Sequence, residues 1–260
     1  MGIKLSKLSM EFIGKNKVEG TLKTGKTEGK KRKIDESGII RITYELDKKI
    51  MEEDQYIQLF TADFVEKNKK KCKIIINGEK YEIISEIKVN EFEKYGIKEE
   101  DEKLEVILLI EKEIDDMSYI FYDCKSLIKA DLSLFNAKNV KYMNNMFNDC
   151  KSLIKVDLSS LNIENVEDMG YMFCGCKSLI KVDSSSFKTE NVEDMGYMFS
   201  DCESLVKVDL PSFDIQNDTD MDGIFWGCKN LIKVNIKRKK FHKIKYRLDL
   251  EEPQLSIIEV

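Results

Sequence analysis

The sequence has only one histidine, one tryptophan and two prolines among 260 residues. Two prolines and thirteen glycines exclude collagen and linker sequence. A structural zinc site needs four ligands, and the single histidine, His242, is far along the chain from the cysteines. Because 42% of the residues are hydrophobic, the chain can still bury a sizeable core.

Long hydrophobic runs are also missing. No apolar stretch approaches the roughly 20 residues that a membrane-spanning helix needs, and residues 1–17 lack the apolar segment of a secretory signal. We therefore expect any membrane attachment to be peripheral.

Positive charge is scarce in the middle of the chain, although the net charge is only −5. The charge is +7 over residues 1–33, −7 over 34–113, −8 over 114–236 and +3 over 237–260. Nucleic-acid binding needs a basic face on the folded part. We therefore expect no nucleic-acid partner.

A 26-residue repeat fills residues 114–236. Its cysteines recur at intervals of 26 without exception: Cys124, Cys150, Cys176, Cys202 and Cys228. Each follows a methionine by seven residues and a phenylalanine by three, and a leucine comes three residues later. Units this short cannot bury an apolar face alone, so the copies must stack.

Each copy combines two apolar patterns. The segment from Leu153 to Leu158 alternates as a short strand, whereas Val166, Met169 and Met172 recur at helical spacing. We predict one strand and one helical turn per copy, with the methionines and phenylalanines in the core. In four of the five copies an asparagine precedes the helical stretch, where its side chain could accept hydrogen bonds from helix amides: Asn139, Asn165, Asn191 and Asn217.

The Leu-x-x-Val-x-Leu core and the Met-x-x-Met-Phe-x-x-Cys-x-x-Leu signature resemble the leucine-rich repeats of BspA-type surface proteins. The resemblance covers about 114–236 and implies a curved, non-enzymatic solenoid used in adhesion or protein binding. The expected fold class is α+β: a leucine-rich-repeat solenoid of five rungs, each a strand plus a short helix, after a small α+β capping domain.

Three columns of repeated side chains are candidates for binding. If the strands line a concave face, one exposed column holds Lys129, Lys155, Lys181, Lys207 and Lys233, and the next holds Asp131, Asp157, Asp183, Asp209 and Asn235. They form either a ligand surface or a solvated face whose opposite charges screen each other. The third column is always apolar, and either packs at a turn or forms a stripe that recruits a partner: Ile128, Ile154, Ile180, Val206 and Ile232.

Five of the seven cysteines are explained as an inward-facing ladder of small residues. Free thiols are typical of a reducing compartment. Cys174 and Cys176 could contact a soft metal, but too few ligands accompany them, so we expect no metal and no cofactor. Nothing marks one ladder cysteine as a nucleophile.

Residues 34–113 predict a small mixed domain that caps the first repeat, with an independent binding domain as the alternative. Strands are expected at 39–46, 56–60, 72–77, 80–85 and 104–110, and a helix at 62–70. Asn77-Gly78 is a strong hairpin signal. Residues 237–260 are expected to form the C-terminal cap and tail.

The first 33 residues suggest a flexible basic arm. Gly2, with Ser6 after it, fits the N-myristoylation pattern, and the basic residues of 1–33 would supply the second signal that stable attachment to an anionic membrane needs. The alternatives are a basic arm without a lipid, or a nuclear-import patch at residues 30–33.

These observations favour a non-enzymatic interaction or scaffold protein with a protein partner and no small-molecule substrate. We expect it in the cytoplasm, either free or peripheral on the cytosolic face of a membrane. The alternative is an extracellular adhesin at the cell surface, for which Asn217 would be a glycan acceptor. A third hypothesis, a nucleotide-binding enzyme, rests on residues 20–27, which match G-x-x-x-x-G-K-[ST].

If residues 20–27 formed a nucleotide-binding loop, ATP and magnesium would raise the melting temperature, and we do not expect this increase. A phosphate-cradling loop needs a buried strand before it and a helix after it, but the flanking segments, 15–19 and 28–36, are polar. Saturating ATP and magnesium should leave the melting temperature unchanged. An increase that Lys26→Ala abolishes would instead establish nucleotide binding.

Overall fold

The chain is described by a computed structural model at residues 38–47, 52, 55–183, 187–210 and 219–235. All of these residues belong to one unit, Arg32–Val260. The predictions for Gly2, for the loop at 20–27, for Asn217 and for the tail at 237–260 lie outside the described residues.

The N-terminal part of the described chain is mostly antiparallel sheet. Its elements are β1 (Ile39–Glu45), β2 (Tyr56–Gln58), α1 (Ala62–Asn68), β3 (Cys72–Ile76), β4 (Glu79–Glu82), β5 (Glu86–Lys88), a 3₁₀ helix (Val89–Tyr95) and β6 (Lys103–Ile110). The five predicted strands and the predicted helix are confirmed, within a few residues at their ends. Neither β5 nor the 3₁₀ helix was predicted, because a three-residue strand is too short to show alternation.

The turn between β3 and β4 forms as the Asn-Gly pair predicts. Asn77 and Gly78 both have positive φ, at 50° and 83°, and Ile76 pairs with Glu79 across the two-residue loop. This backbone twist matches that of the flanking strands. The Asn77 side chain also donates to the carbonyls of Tyr95 and Gly96, each at 3.0 Å.

Each of the five repeat copies contributes one short strand to a parallel sheet. These strands are β7 (Leu127–Asp131), β8 (Lys155–Asp157), β9 (Lys181–Asp183), β10 (Lys207–Asp209) and β11 (Lys233–Asn235). Equivalent repeat positions pair directly, as Lys129 does with Lys155 and Val208 with Val234. The 26-residue period of the sequence therefore sets the register in which neighbouring strands pair.

The two parts share one nine-stranded sheet, in the order β11-β10-β9-β8-β7-β1-β6-β3-β4. Strand β1 lies between the parts and is antiparallel to both neighbours, so that Arg41 is opposite Asp131 on β7 and Ile107 on β6. The strand beside the first repeat is therefore β1, although β6 is the strand that precedes the repeats in sequence. A second sheet pairs β2 with β5.

The predicted helical turn in each copy is wrong for the described residues, which form overlapping hydrogen-bonded turns. Two positions in each copy, four residues apart, have a left-handed backbone, which a continuous right-handed helix cannot accommodate. They are Tyr119 and Asp123, Asn145 and Asp149, Tyr171 and Gly175, Tyr197 and Asp201, and Gly223 and Gly227.

The turn segments are held together by a second backbone ladder. The amides of Met143, Asn145, Phe147 and Asp149 donate to carbonyls of the next copy at 2.8 to 2.9 Å. Every second amide therefore points along the stack. The helical spacing of the apolar side chains reflects these repeated turns.

The role predicted for the asparagines is also wrong where the structure describes it. Asn165 and Asn191 donate through Nδ2 to the backbone carbonyls of Lys138 and Glu164, each at 2.6 Å. Because no helix follows, there are no helix amides to cap. The two side chains instead join each copy to the one before it.

The methionines and phenylalanines form the core, as predicted. The repeat phenylalanines stack one above another, with ring centroids 5.1 to 5.7 Å apart and ring planes within 13° of parallel. Phe60 lies 5.6 Å from Phe121 and extends the row into the N-terminal part. One continuous cluster of buried residues runs from Ile40 to Val234.

Truncating one central ring should test this packing. Phe173 is fully buried between Phe147 and Phe199, so Phe173→Ala should lower the free energy of unfolding by about 3–5 kcal/mol. The control is Tyr142→Ala, which removes an exposed ring and should cost about 1 kcal/mol or less. Equal losses in denaturant melts would contradict the packing described here.

Candidate binding surface

The two predicted charged columns lie side by side on the parallel strands. The lysines pair across neighbouring strands from Lys129 to Lys233. Two residues further along, the acidic positions pair in the same way between β7 and β8, between β9 and β10, and between β10 and β11. Lys129, Lys155 and Lys181 are exposed, and Lys207 and Lys233 are half-buried. We call these two columns the sheet face. Of the side chains of Asp183 and Asn235, nothing is described.

Opposite charges on the sheet face are partly compensated within the chain. Lys207 Nζ lies 2.9 Å from Asp209 Oδ2 on the same strand. Asp131 Oδ1 accepts from the Ser133 amide and hydroxyl, at 3.0 and 2.6 Å. Asp157 makes the same two bonds with Ser159, at 3.1 and 2.7 Å. These carboxylates fix the turn that ends each strand, which leaves the lysines as the more adaptable column.

The apolar column is exposed in four of its five positions. Ile154, Ile180, Val206 and Ile232 have 48%, 52%, 37% and 65% of their surface exposed, and Ile128 is half-buried. Of the two interpretations of this column, packing at a turn and an exposed stripe, the structure agrees with the stripe. We call these five residues the apolar ridge.

Aromatic side chains cover part of the turn segments, which the sequence pattern had not indicated. The exposed rings are Tyr119, Tyr122, Tyr142, Tyr171, Tyr197 and Trp226. Tyr171 and Tyr197 occupy equivalent repeat positions and stack at 5.0 Å. The recurrence of tyrosine at equivalent repeat positions is visible in the sequence. Because a helical turn was expected there, the sequence pattern gave no reason to place these side chains together.

A row of aspartates accompanies the tyrosines and organises the backbone. Asp168 and Asp194 each accept a hydrogen bond from the amide two residues later, at Gly170 and Gly196, at 2.9 and 2.7 Å. Burial, together with the neighbouring Asp194 carboxylate, raises the pKa of Asp168. A Cβ atom at Gly170 would lie 3.1 Å from the Asp194 carboxylate oxygens, so the glycine makes room for this row.

The ladder cysteines face inward, as predicted, and their thiols connect the copies. Cys150, Cys176, Cys202 and Cys228 donate to the carbonyl of the phenylalanine 29 residues earlier, at 2.9 to 3.1 Å. Burial raises the pKa of each thiol, that of Cys228 to about 12. All seven cysteines are free thiols. Protonated, buried thiols are poor nucleophiles.

A groove of about 730 Å³ runs along the loops that lead into the turn segments. Its lining is polar and includes Asn165, Asn191 and Glu193. The Lys141 ammonium lies 2.8 Å from the Glu167 carboxylate across neighbouring copies. The groove thus follows the asparagine positions, whose side chains connect the copies.

Within the described residues, the chain forms neither a metal site nor a membrane-spanning helix. There, no group of three or more histidine, cysteine, aspartate or glutamate side chains lies close enough to hold a metal ion. Among the described helices, none has the length and hydrophobicity that crossing a bilayer requires.

One protein-family model matches the repeat half of the chain. Its description is "Mycoplasma protein of unknown function, DUF285", and it matches at residues 110–206 and again at 157–246. The matches overlap and together span more than half of the chain. The family is associated with BspA-like repeats, so the match and the resemblance agree on the type of repeat. No curated protein and no solved structure is significantly similar to the chain.

Thiol labelling should distinguish the ladder cysteines from Cys174, which lies in the repeats but is not part of the ladder. Cys174 is half-buried, whereas the other six cysteines are buried. In the native protein at pH 8, an aromatic disulfide reagent should modify Cys174 first, and faster as pH rises because the thiolate is the reactive form. Cys174→Ser should remove this early phase in intact-mass spectra. Simultaneous modification of several thiols in the folded protein would contradict the burial of the ladder.

Proposed function

The chain belongs to the DUF285 family, and we propose that it is a non-enzymatic scaffold that binds another protein through the sheet face. The observation that carries this proposal is the register of the repeats. Five copies place a lysine column beside an acidic column on neighbouring strands. Such an extended surface suits a partner with complementary charges better than it suits a small molecule, which needs a concave site.

We interpret the stacked repeats as a solenoid whose first copy is covered by the N-terminal part. Three contacts support this interpretation. Strand β1 hydrogen-bonds to β7, the Phe60 ring lies beside Phe121, and the Cys124 thiol lies 3.6 Å from the Leu59 carbonyl. Solenoids need such cover because an open end exposes the core of its last copy.

The chemistry of the described side chains supports a binding role. The ladder thiols are buried with raised pKa values, and two of the sheet-face carboxylates are committed to strand-ending turns. Free thiols also fit the expected cytoplasmic location, since oxidising compartments favour disulfides. Attachment through Gly2 to the cytosolic face of a membrane stays a prediction, as does the cell-surface alternative.

Charge reversal on alternate strands should test the sheet face without unfolding it. Lys155 lies on the strand between Lys129 and Lys181. In the variant Lys129→Glu, Lys181→Glu, each new carboxylate is therefore next to the Lys155 ammonium group, so stability should not fall. A partner recovered with the full-length protein from its own cells should bind this variant at least about tenfold more weakly, as expected when several charge contacts are reversed.

The matched control carries the same charge change elsewhere. Lys70 and Lys98 are exposed in the N-terminal part, and Lys70→Glu, Lys98→Glu should bind the partner like the wild type. If the recovered partner binds both double variants and the wild type with equal affinity, the sheet face is not its binding surface.

A further inference from the structure

The members of the apolar ridge lie side by side on successive copies, and backbone hydrogen bonds directly join three of the four neighbouring pairs. The amide of Ile154 donates to the carbonyl of Ile128 at 3.0 Å, and that of Ile232 donates to Val206 at 3.0 Å. Neighbouring parallel strands lie about 4.8 Å apart, so four intervals place the ends of the ridge about 19 Å from each other. Each member comes just before or at the start of its strand, at a corner of the coil.

Lysines flank the ridge on both sides. The residues around it read Lys-Ser-Leu-Ile-Lys in the first three copies, and close variants of this in the last two. On the side away from the sheet face, the flanking positions are Lys125, Lys151, Lys177, Glu203 and Lys229. These four lysines are exposed. On the other side is the lysine column of the sheet face.

Nearby acidic side chains offset only part of this positive charge. Asp149 Oδ1 lies 3.6 Å from Lys151 Nζ. Glu203 lies between two lysines of the same column, 2.8 Å from Lys177 Nζ and 3.1 Å from Lys229 Nζ. One carboxylate thus joins two ammonium groups. The acidic column of the sheet face lies two residues beyond its lysines, further from the ridge.

An exposed aliphatic row between two rows of lysines fits the boundary between the headgroups and the acyl chains of a bilayer. The β-branched side chains can enter the acyl region while the flanking ammonium groups reach lipid phosphates. Each lysine near an anionic leaflet contributes roughly 1 kcal/mol. A row of side chains, one from each copy and four of them exposed, offers a bilayer the same contact at successive copies, whereas a globular partner would need a groove of matching length.

We propose that the apolar ridge and its flanking lysines dock the folded repeats on the surface of an anionic phospholipid bilayer. The remaining surface of the repeats is acidic, since residues 114–236 carry −8 overall. An anionic bilayer repels that surface and attracts the lysine rows, so the charge distribution orients the ridge toward the lipid. The apolar ridge itself is not part of the protein-binding surface proposed above, although one of its flanking lysine rows is the lysine column of the sheet face. Docking through the ridge does not require residues 1–33.

The test measures how much of the full-length protein binds to phosphatidylcholine vesicles with and without about 30% phosphatidylserine. The phosphatidylserine gives the vesicles the negative surface of an anionic leaflet. The basic residues of 1–33 could also bind these vesicles, so the decisive comparison is between variants. Ile154→Thr, Ile180→Thr, Ile232→Thr keeps β-branched residues at the strand starts but makes the ridge polar. Its partition onto anionic vesicles should be at least about tenfold lower than that of the wild type.

The matched control removes exposed apolar groups from other surfaces. Tyr56, Val89 and Tyr142 are between 37% and 41% exposed, and their replacement by threonine should leave partition unchanged. Thermal melts should show that both triple variants fold. Raising the salt to about 0.5 M should weaken binding of the wild type, because screening shortens the reach of the lysines.

Three results would overturn the proposal. The first is equal partition of the ridge variant and the wild type, which would assign vesicle binding to another part of the chain. The second is equal wild-type binding to vesicles with and without phosphatidylserine. The third is loss of a protein partner in the ridge variant with unchanged partition, which would make the ridge a protein-binding surface.

Discussion

The structure depends on backbone hydrogen bonds that join equivalent positions of successive copies. These bonds form twice in every coil, once between the short strands and once between the turn segments. Because donor and acceptor are always offset by nearly one repeat, each copy must have the same length as its neighbours. An insertion within a strand or a turn segment would shift the residues after it out of register with the neighbouring copies, which favours the unvarying spacing of 26 residues.

Exact register turns single residues into rows. The phenylalanine rings stack at 5.1 to 5.7 Å, the cysteine thiols reach carbonyls of the preceding copy, and the asparagine amides do the same at the loops. Buried polar groups are costly without partners, and here the partner of each thiol and asparagine amide is supplied by the preceding copy. The core is therefore selected for stacking, which explains why methionine, phenylalanine and cysteine recur so uniformly.

The same register governs the surface. A lysine, an acid and an aliphatic residue at fixed repeat positions become two charged columns and an apolar ridge. Uniform columns distinguish this surface from one in which varied side chains select a compact ligand. A partner with its own extended or planar geometry, such as a long protein face or a bilayer, can use many weak identical contacts at once.

Strand β1 decides how the repeats begin. It enters the sheet between β6 and β7, and it supplies an antiparallel partner to the first parallel strand. Without it, β7 would present an open edge of unpaired backbone groups, which favours association between chains. Composition and repeat pattern suggest a domain boundary at residue 113. The sheet nevertheless contains strands from both sides of that boundary, with β1 joining them.

Periodicity alone determined the repeat length, the identity of the core residues and the strand in each copy, because apolar burial imposes a pattern that a sequence displays directly. The Asn77-Gly78 hairpin was also local, since only its two residues set the turn. The tertiary structure decided what local patterns leave open. Paired left-handed residues such as Asn145 and Asp149 convert an apparent helix into turns whose amides bond to the next copy, and long-range pairing places β1 beside β7. Exposure of the ridge was equally undetermined, because whether Ile154 packs or projects depends on the corner of a coil that exists only when the copies are stacked.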